Sequence, residues 1–259
     1  MLGDFSPLLS PESLALALAI GLLAGFVKGM VGFALPMILV SGLGSFLPPE
    51  IALAGLIVPS VATNILQSLR QGPAAALRSL RAFLPFNTVL FAGIYVSALL
   101  MRSIPEPAFF LGLGAFIVFF CAIQLLGWRP HLARGRNIAL EVVLGVIGGM
   151  IGGISGVWGP PLILYLLALD LPKVEQVRVQ GVTFLLGSIV LFSAHLHSGV
   201  LDRTTLPFSF LMLLPVLLGQ RIGLHFHDRI DQGRFRKLTL LVLLVVGVNI
   251  MRRGIGLLF

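Results

Sequence analysis

The sequence predicts an all-α integral membrane protein built from two inverted repeats, each a broken re-entrant helical hairpin plus three transmembrane helices. Three observations carry that expectation. Apolar residues make up 57% of the 259 residues and charged residues only 11%, too little charge to cover a soluble domain of this size. Mean hydropathy is +1.03, and stretches long enough to span a bilayer run almost end to end. Finally, "GLLAGFVKGMVGFALP" at 21–36 returns 124 residues later as "GVIGGMIGGISGVWGP" at 145–160.

The first element, the apolar block 13–47, holds 35 residues. As one helix it would reach about 50 Å, against a hydrocarbon core of about 30 Å. With glycines and Pro36 near its centre, it reads as a hairpin that goes in part-way, turns, and leaves on the side it entered. Non-helical backbone at that depth is tolerated only inside protein or beside a water-filled cavity. Stretches 51–69, 82–101 and 108–127 follow, each long enough for one span. Block 138–169 repeats the hairpin, and 176–194, 204–224 and 238–251 supply the second set of spans. The last is short before Arg252 and Arg253, so it must borrow flanking residues or thin the bilayer locally. The expected division is a first repeat over 1–128, a basic cytoplasmic linker over 129–137, and a second repeat over 138–259.

The repeat is more than shared glycine. Gly21, Gly25, Gly29, Gly32 and Pro36 fall on Gly145, Gly149, Gly153, Gly156 and Pro160, and Leu47-Pro48 falls on Leu171-Pro172 without a gap. Charge supports the hairpins. If each block crossed once, Lys and Arg in the loops would divide 9 to 8 between the two sides. If each block returns to its own side, 13 collect on one side, from Arg70, Arg78 and Arg81 through Arg129, Arg134, Arg136, Lys173, Arg178 and Arg221 to Arg229, Arg234, Arg236 and Lys237. Only Arg102, Arg203, Arg252 and Arg253 lie opposite. That asymmetry is what the positive-inside rule expects, and it places both termini outside the cytoplasm. The formal charge of +8 therefore reports cytoplasmic loops rather than nucleic acid. Cys121 is the only cysteine, which excludes a disulfide within the chain and any CxxC site. The opening "MLGDFSPLLSPES" has no basic n-region, so no cleaved secretory signal is expected.

The paired motifs "AGFVKGMVGFALP" and "GGMIGGISGVWGPP", within this two-half layout, resemble the TauE/SafE family, the sulfite exporter and sulfonate permease group, over nearly the whole chain. That resemblance implies secondary transport of small anions, chiefly sulfur-containing ones such as sulfite, sulfoacetate and other organosulfonates, with export as the expected direction. The halves are not identical: Lys28 stands opposite Gly152, and Phe33-Ala34 opposite Val157-Trp158, so a site between them is asymmetric.

Broken hairpins of inverted repeats meet near the bilayer midplane, and a helix starting at such a break aims unpaired N–H groups at an anion. Gly29, Gly32, Gly153 and Gly156, beside Pro36 and Pro160, are expected to let backbone amides approach an oxyanion. Gly21, Gly25, Gly145 and Gly149 read instead as small-residue packing faces. Lys28 is the one basic residue inside an apolar block; a bound anion would offset its burial, or its long stem snorkels to water. Ser60, Thr63, Asn64 and Gln67 share one helical face, as do Gln176, Gln180 and Thr183, with Gly187 beside them. Thr63, Asn64, Gln67, Gln180 and Thr183 are taken as ligand donors, with helix–helix hydrogen bonding as the alternative. Phe33, Ser155 and Trp158 stand at the breaks; Trp158 either walls the substrate or packs as an apolar residue. His195, His197, His225 and His227 read as interfacial polar residues, and Glu141 and Asp170 as interface or loop charges.

No GxxxxGK[ST] loop is present to drive a pump. Nor does the sequence hold paired intramembrane aspartates, a Ser–His arrangement or HExxH for an intramembrane enzyme. The expectation is a multi-pass, non-enzymatic carrier of the cell (inner) membrane without metal or cofactor. It binds a small anionic substrate between the hairpins near the midplane, works by alternating access, and touches lipid but not nucleic acid; a homodimer is left open. A passive anion channel, or a carrier for a non-sulfur organic anion, is the alternative. In a cysteine-labelling scan, loops 71–80 and 129–137 are expected to react together from the cytoplasm; labelling from opposite sides would refute the hairpin topology.

Overall fold

A computed structural model describes residues 9–69, 71–128, 132, 135–226 and 231–259. Every regular element among them is a helix: α1 (Pro11–Val31), α2 (Leu35–Leu43), α3 (Pro49–Ser68), α4 (Pro73–Ala82), α5 (Leu84–Leu99), α6 (Glu106–Leu125), α7 (Ile138–Ser155), α8 (Gly159–Ala168), α9 (Lys173–Ser198), α10 (Thr205–Phe226) and α11 (Gln232–Gly256). Seven are long and apolar enough to cross a membrane, eight if the bent pair α4–α5 counts as one. The chain is a multi-pass membrane protein.

The element order repeats at the offset seen in the sequence. α1 ends at Val31 and α7 at Ser155, each capped by a left-handed glycine, Gly32 (φ 81°) and Gly156 (φ 73°). Those caps are where glycine's tolerance of positive φ is required. α2 and α8 then start with Pro36 and Pro160 in their first turns, where a missing N–H costs nothing. Both short helices fold back along the helix before them. Gly42 of α2 lies against Ile20, and Tyr165 of α8 donates to Glu141 in the first turn of α7 at 2.8 Å.

Helices pair across the halves in the same swapped way. α1 runs beside α10, and α7 beside α5. The reason is glycine. A methyl added at Gly25 or Gly29 would overlap the backbone of Val216 or Gln220, and one at Gly219 or Gly223 that of Leu22 or Phe26. Gly145, Gly149 and Gly153 meet the backbone of α5 at Phe86, Leu90 and Ile94 in the same manner. Helices in lipid associate through such close backbone approach. α1 has 21 residues, about 31 Å at the helical rise. It is the longer arm of the hairpin, and the return arm α2 is short. Its break stands level with Leu224 near the last turn of α10, while the second break lies beside Leu53 and Leu56 in the first two turns of α3.

Loop contacts sort the helix ends into two layers. Arg253 donates to the carbonyls of Gly44 and Leu47 and pairs with Glu106 at 3.1 Å, while Arg102 lies near Glu50 and Gly199. In the other layer Arg178 donates to Ser79 and Gln71, Gln71 donates to Val174, and Leu132 donates to Ala168. Of the cations expected on the cytoplasmic side, Arg178 lies in this second layer; Arg70, Arg129, Arg134 and Arg229 lie outside the described residues, as does His227.

Three expectations change. The loop read at 71–80 is largely α4, a short helix at 86° to α5. Pro85 in the first turn of α5 has no N–H to donate back into α4, and the chain bends at Phe83 (φ −108°). The short last span is 25 residues long, because Asp231 caps it from Gly233 and Arg234 and Arg253 is absorbed by Glu106 and the Phe110 ring. Glu141 is no loop charge but fully buried, held by two bonds from Arg136 and one from Tyr165. At the start of α10, hydrogen bonds from the Thr204 hydroxyl and then the Thr205 N–H hold the Asp202 carboxyl down at about 2. Because that group is depressed in the folded state, its stabilisation is present above the ordinary carboxyl range and is lost as pH falls through about 2.

The glycine seams give a direct test. Gly25→Ala is expected to lower stability by at least about 1–3 kcal/mol through overpacking. Gly112→Ala, on α6 with open space around it, should leave the melting temperature near that of the native protein. Equal melting of both variants would show that the seam does not hold α1 on α10.

Candidate functional site

The two breaks converge on a small cavity of about 30 Å³ walled by both copies of the motif. Lys28, Phe33 and Pro36 come from the first; Gly156, Trp158 and Pro160 come from the second. Ser60 and Asn64 of α3 and Phe184 of α9 close it. A volume of this size holds about one or two waters. A second cavity, of about 610 Å³, shares Lys28, Phe33 and Ile163 with the first. It extends past Gln67, Gln180 and Gln220 to Gln176, Gly233 and Arg236, in the basic layer. Lys28 thus stands at the boundary between a tight chamber and a roomy vestibule.

The Lys28 side chain is 3% exposed and its Nζ donates to Asn64 Oδ1. No carboxylate pairs with it among the described residues, and no aspartate or glutamate lines either cavity. A buried ammonium without a counter-charge is costly, and the amide oxygen offsets only part of that cost. A bound anion would supply the counter-charge that the described residues lack. Ser60 Oγ, 1% exposed at the wall of the tight chamber, has no hydrogen-bond partner in the structure. A buried hydroxyl of this kind can donate to a ligand oxygen.

The candidate residues divide. The structure brings Lys28, Gly29, Gly32, Phe33, Pro36, Asn64, Gln67, Gly156, Trp158, Pro160 and Gln180 to the two cavities. It does not bring Thr63, Thr183, Gly153 or Ser155. The Thr63 hydroxyl is taken by its own helix at the Pro59 carbonyl, 2.7 Å away. Thr183 donates to Asn87 at 2.8 Å. Ser155 donates to the Ile151 carbonyl and accepts from Val157, fixing the turn. Gly153 packs on Ile94 and Ser97, and its carbonyl accepts from His195. Gly29 touches the vestibule but also lies in the α10 seam, so packing demands a glycine there whatever the ligand. Trp158 rests its indole on Gly187 and meets Phe184 edge-on at 6.5 Å, a wall as much as a packing residue.

Three groups escaped the sequence reading. Arg236 looked like a loop charge but lines the vestibule, with its guanidinium 5.8 Å from the centre of the Phe33 ring. Gln220, on a helix whose polar residues show no stripe, reaches the vestibule as well. His195 is fully buried and tied to the second break, not interfacial. Periodicity gave no signal for it, because only one polar atom on α7, the Gly153 carbonyl, calls for it.

A double substitution tests the Lys28–Asn64 contact. Asn64→Leu alone is expected to cost about 1.5–3 kcal/mol of stability, since it strips a hydrogen bond from a buried charge. Adding Lys28→Met should recover most of that loss. Losses that simply add would show that the two side chains do not interact.

Among known proteins, the sulfite exporter TauE/SafE family model matches residues 17–250. No match was found among curated proteins or among solved structures. The matched span takes in both breaks, both cavities and α11 as far as residue 250, so the chain belongs to the sulfite exporter TauE/SafE family of membrane transporters.

Proposed function

We propose that this protein is a secondary transporter that exports small sulfur-containing anions, such as sulfite or an organosulfonate, across the cell (inner) membrane. The anion binds at Lys28, between the two hairpins, and is passed from one side to the other by alternating access. The single observation that carries the reading is the buried Lys28 ammonium. It is balanced only by an amide oxygen, and it sits where both breaks and both cavities meet. A small oxyanion would supply the missing charge and accept hydrogen bonds from Lys28 and Ser60. Amide donors of Gln67, Gln180 and Gln220 line the approach.

The halves are read as inverted repeats, with 1–128 and 138–259 in opposite orientation, the linker 129–137 cytoplasmic and both termini outside. In that frame the vestibule opens to the cytoplasm and the tight chamber closes the path beyond Lys28. A wide chamber on one side of a constriction favours a carrier caught facing inward over an open channel. Neither a metal, a cofactor nor catalysis enters this reading.

The test is a thermal-shift screen of the purified protein against sulfite, sulfate, thiosulfate and simple alkanesulfonates. A ligand that binds the folded state raises the melting temperature by mass action. At least one sulfur oxyanion is expected to do so, and Lys28→Gln should remove the shift while leaving folded yield intact. No shift with any anion, or an undiminished shift in Lys28→Gln, would overturn the proposal.

A further inference from the structure

The short helix α4 lies across the bundle rather than through it, and its exposed side carries charge that the protein leaves unpaired. Its 10 residues reach about 15 Å, half of a hydrocarbon core of about 30 Å. It stands at 86° to α5. Since α5 runs along α7 through the glycine seam, that angle lays α4 in the plane of the membrane surface. Its faces are distinct. Ala75 and Ser79 are buried, and Ser79 accepts from Arg178 at 2.7 Å, which fastens α4 to α9. Leu77 and Leu80, three residues apart, share a second face, where Leu77 is 45% exposed; at the bend Leu84 is 53% exposed. Arg78 and Arg81, also three apart, share the adjoining face and are exposed. Among the described residues neither arginine forms an ion pair, and α4 contains no aspartate or glutamate.

We infer that α4 is a membrane-surface helix whose Arg78 and Arg81 bind the phosphate groups of anionic phospholipids. An apolar stripe beside a basic one is the pattern of a helix lying in the interface, its apolar side sunk toward the acyl chains. Arginine stems run along that apolar surface while the guanidinium stays at headgroup level. There the planar fork matches two phosphate oxygens at once. With no carboxylate of the protein competing, the counter-charge comes from the lipid. A net negative headgroup is favoured over a zwitterionic one, whose own ammonium offsets its phosphate. The inference needs only that the chain spans a membrane and is independent of what it transports.

Lipid titration of the purified full-length chain in uncharged detergent micelles tests the inference. Short-chain phosphatidylglycerol is compared with phosphatidylcholine of the same chain length. A lipid that binds the folded state raises the melting temperature by mass action. In the native protein phosphatidylglycerol is expected to reach its half-maximal shift at a concentration at least about tenfold lower, the scale of two interfacial arginines. The double variant Arg78→Gln/Arg81→Gln should bring the two lipids within about twofold of each other. Arg234→Gln/Lys237→Gln, which removes the same charge from the exposed start of α11, should keep the preference. Equal response of the native protein to both lipids would overturn the inference, as would a preference that survives in Arg78→Gln/Arg81→Gln. An equal loss in both double variants would reduce the effect to general attraction by the basic layer, and would overturn it too. The position of α4 is read separately. A bimane label on Leu77→Cys, in nanodiscs, is expected to be quenched by lipids carrying a nitroxide near the headgroup. Quenching by a water-soluble quencher alone would place α4 off the bilayer and contradict the inference.

Discussion

Everything at the centre of this molecule depends on two seams of backbone-to-backbone contact, α1 along α10 and α7 along α5. In lipid no hydrophobic force drives helices together, so proximity must come from small residues that let main chains approach. Glycines at four-residue spacing do this on both partners of the first seam: Gly25 and Gly29 on α1, Gly219 and Gly223 on α10. Once α1 is held this closely, its C-terminal break cannot wander. The left-handed cap at Gly32 then turns the chain into α2 beside α3, and Gly156 does the same for α8. Because each seam joins one half to the other, the long arm of each hairpin is held by the opposite half. The site is a product of both halves packed together.

Duplication supplies the frame and departure from it supplies the chemistry. Where the first copy places Lys28, the second has Gly152, packed against Trp158. Where the first break holds Ala34 at φ 75°, a conformation that costs a non-glycine residue about 1–3 kcal/mol, the second holds Trp158 at φ −103°. The result is one ammonium facing one aromatic wall across a narrow gap. A symmetric site with a lysine from each copy would place two charges in that gap, and their repulsion would add to the burial cost. The single charge is the arrangement a small space tolerates.

Much of this was legible in the sequence for physical reasons. Glycine, proline and an isolated lysine inside apolar runs are costly in a bilayer, so each one marks a constraint; the breaks, the repeat and Lys28 followed from them. What failed shares a different cause. Thr63 and Thr183 sit on polar stripes, but a hydroxyl can satisfy itself on a carbonyl one turn back or on a neighbouring helix, and spacing does not reveal which. Gly153 reads as a ligand contact from its place at the break, but the α5 seam demands glycine there equally, and at Gly29 the α10 seam and the vestibule share one residue. Arg236 was missed because the last helix was read as starting at 238, two residues after it. Asp231, an N-cap signal five residues earlier, marks the true start and would have placed Arg236 on a helix turned toward the hairpin. His195 and Glu141 each take a partner from another helix, the Gly153 carbonyl and the Tyr165 hydroxyl, contacts that only the tertiary fold creates.

The central claim is that the anion rests on Lys28 between the two hairpins. An experimental structure of the protein with a bound sulfonate tests it most directly. The account predicts sulfonate density within hydrogen-bonding reach of Lys28 Nζ, on the side of the cavity that contains Gln67 and Gln180. Density held at any site that leaves Lys28 bonded to Asn64 alone would contradict it.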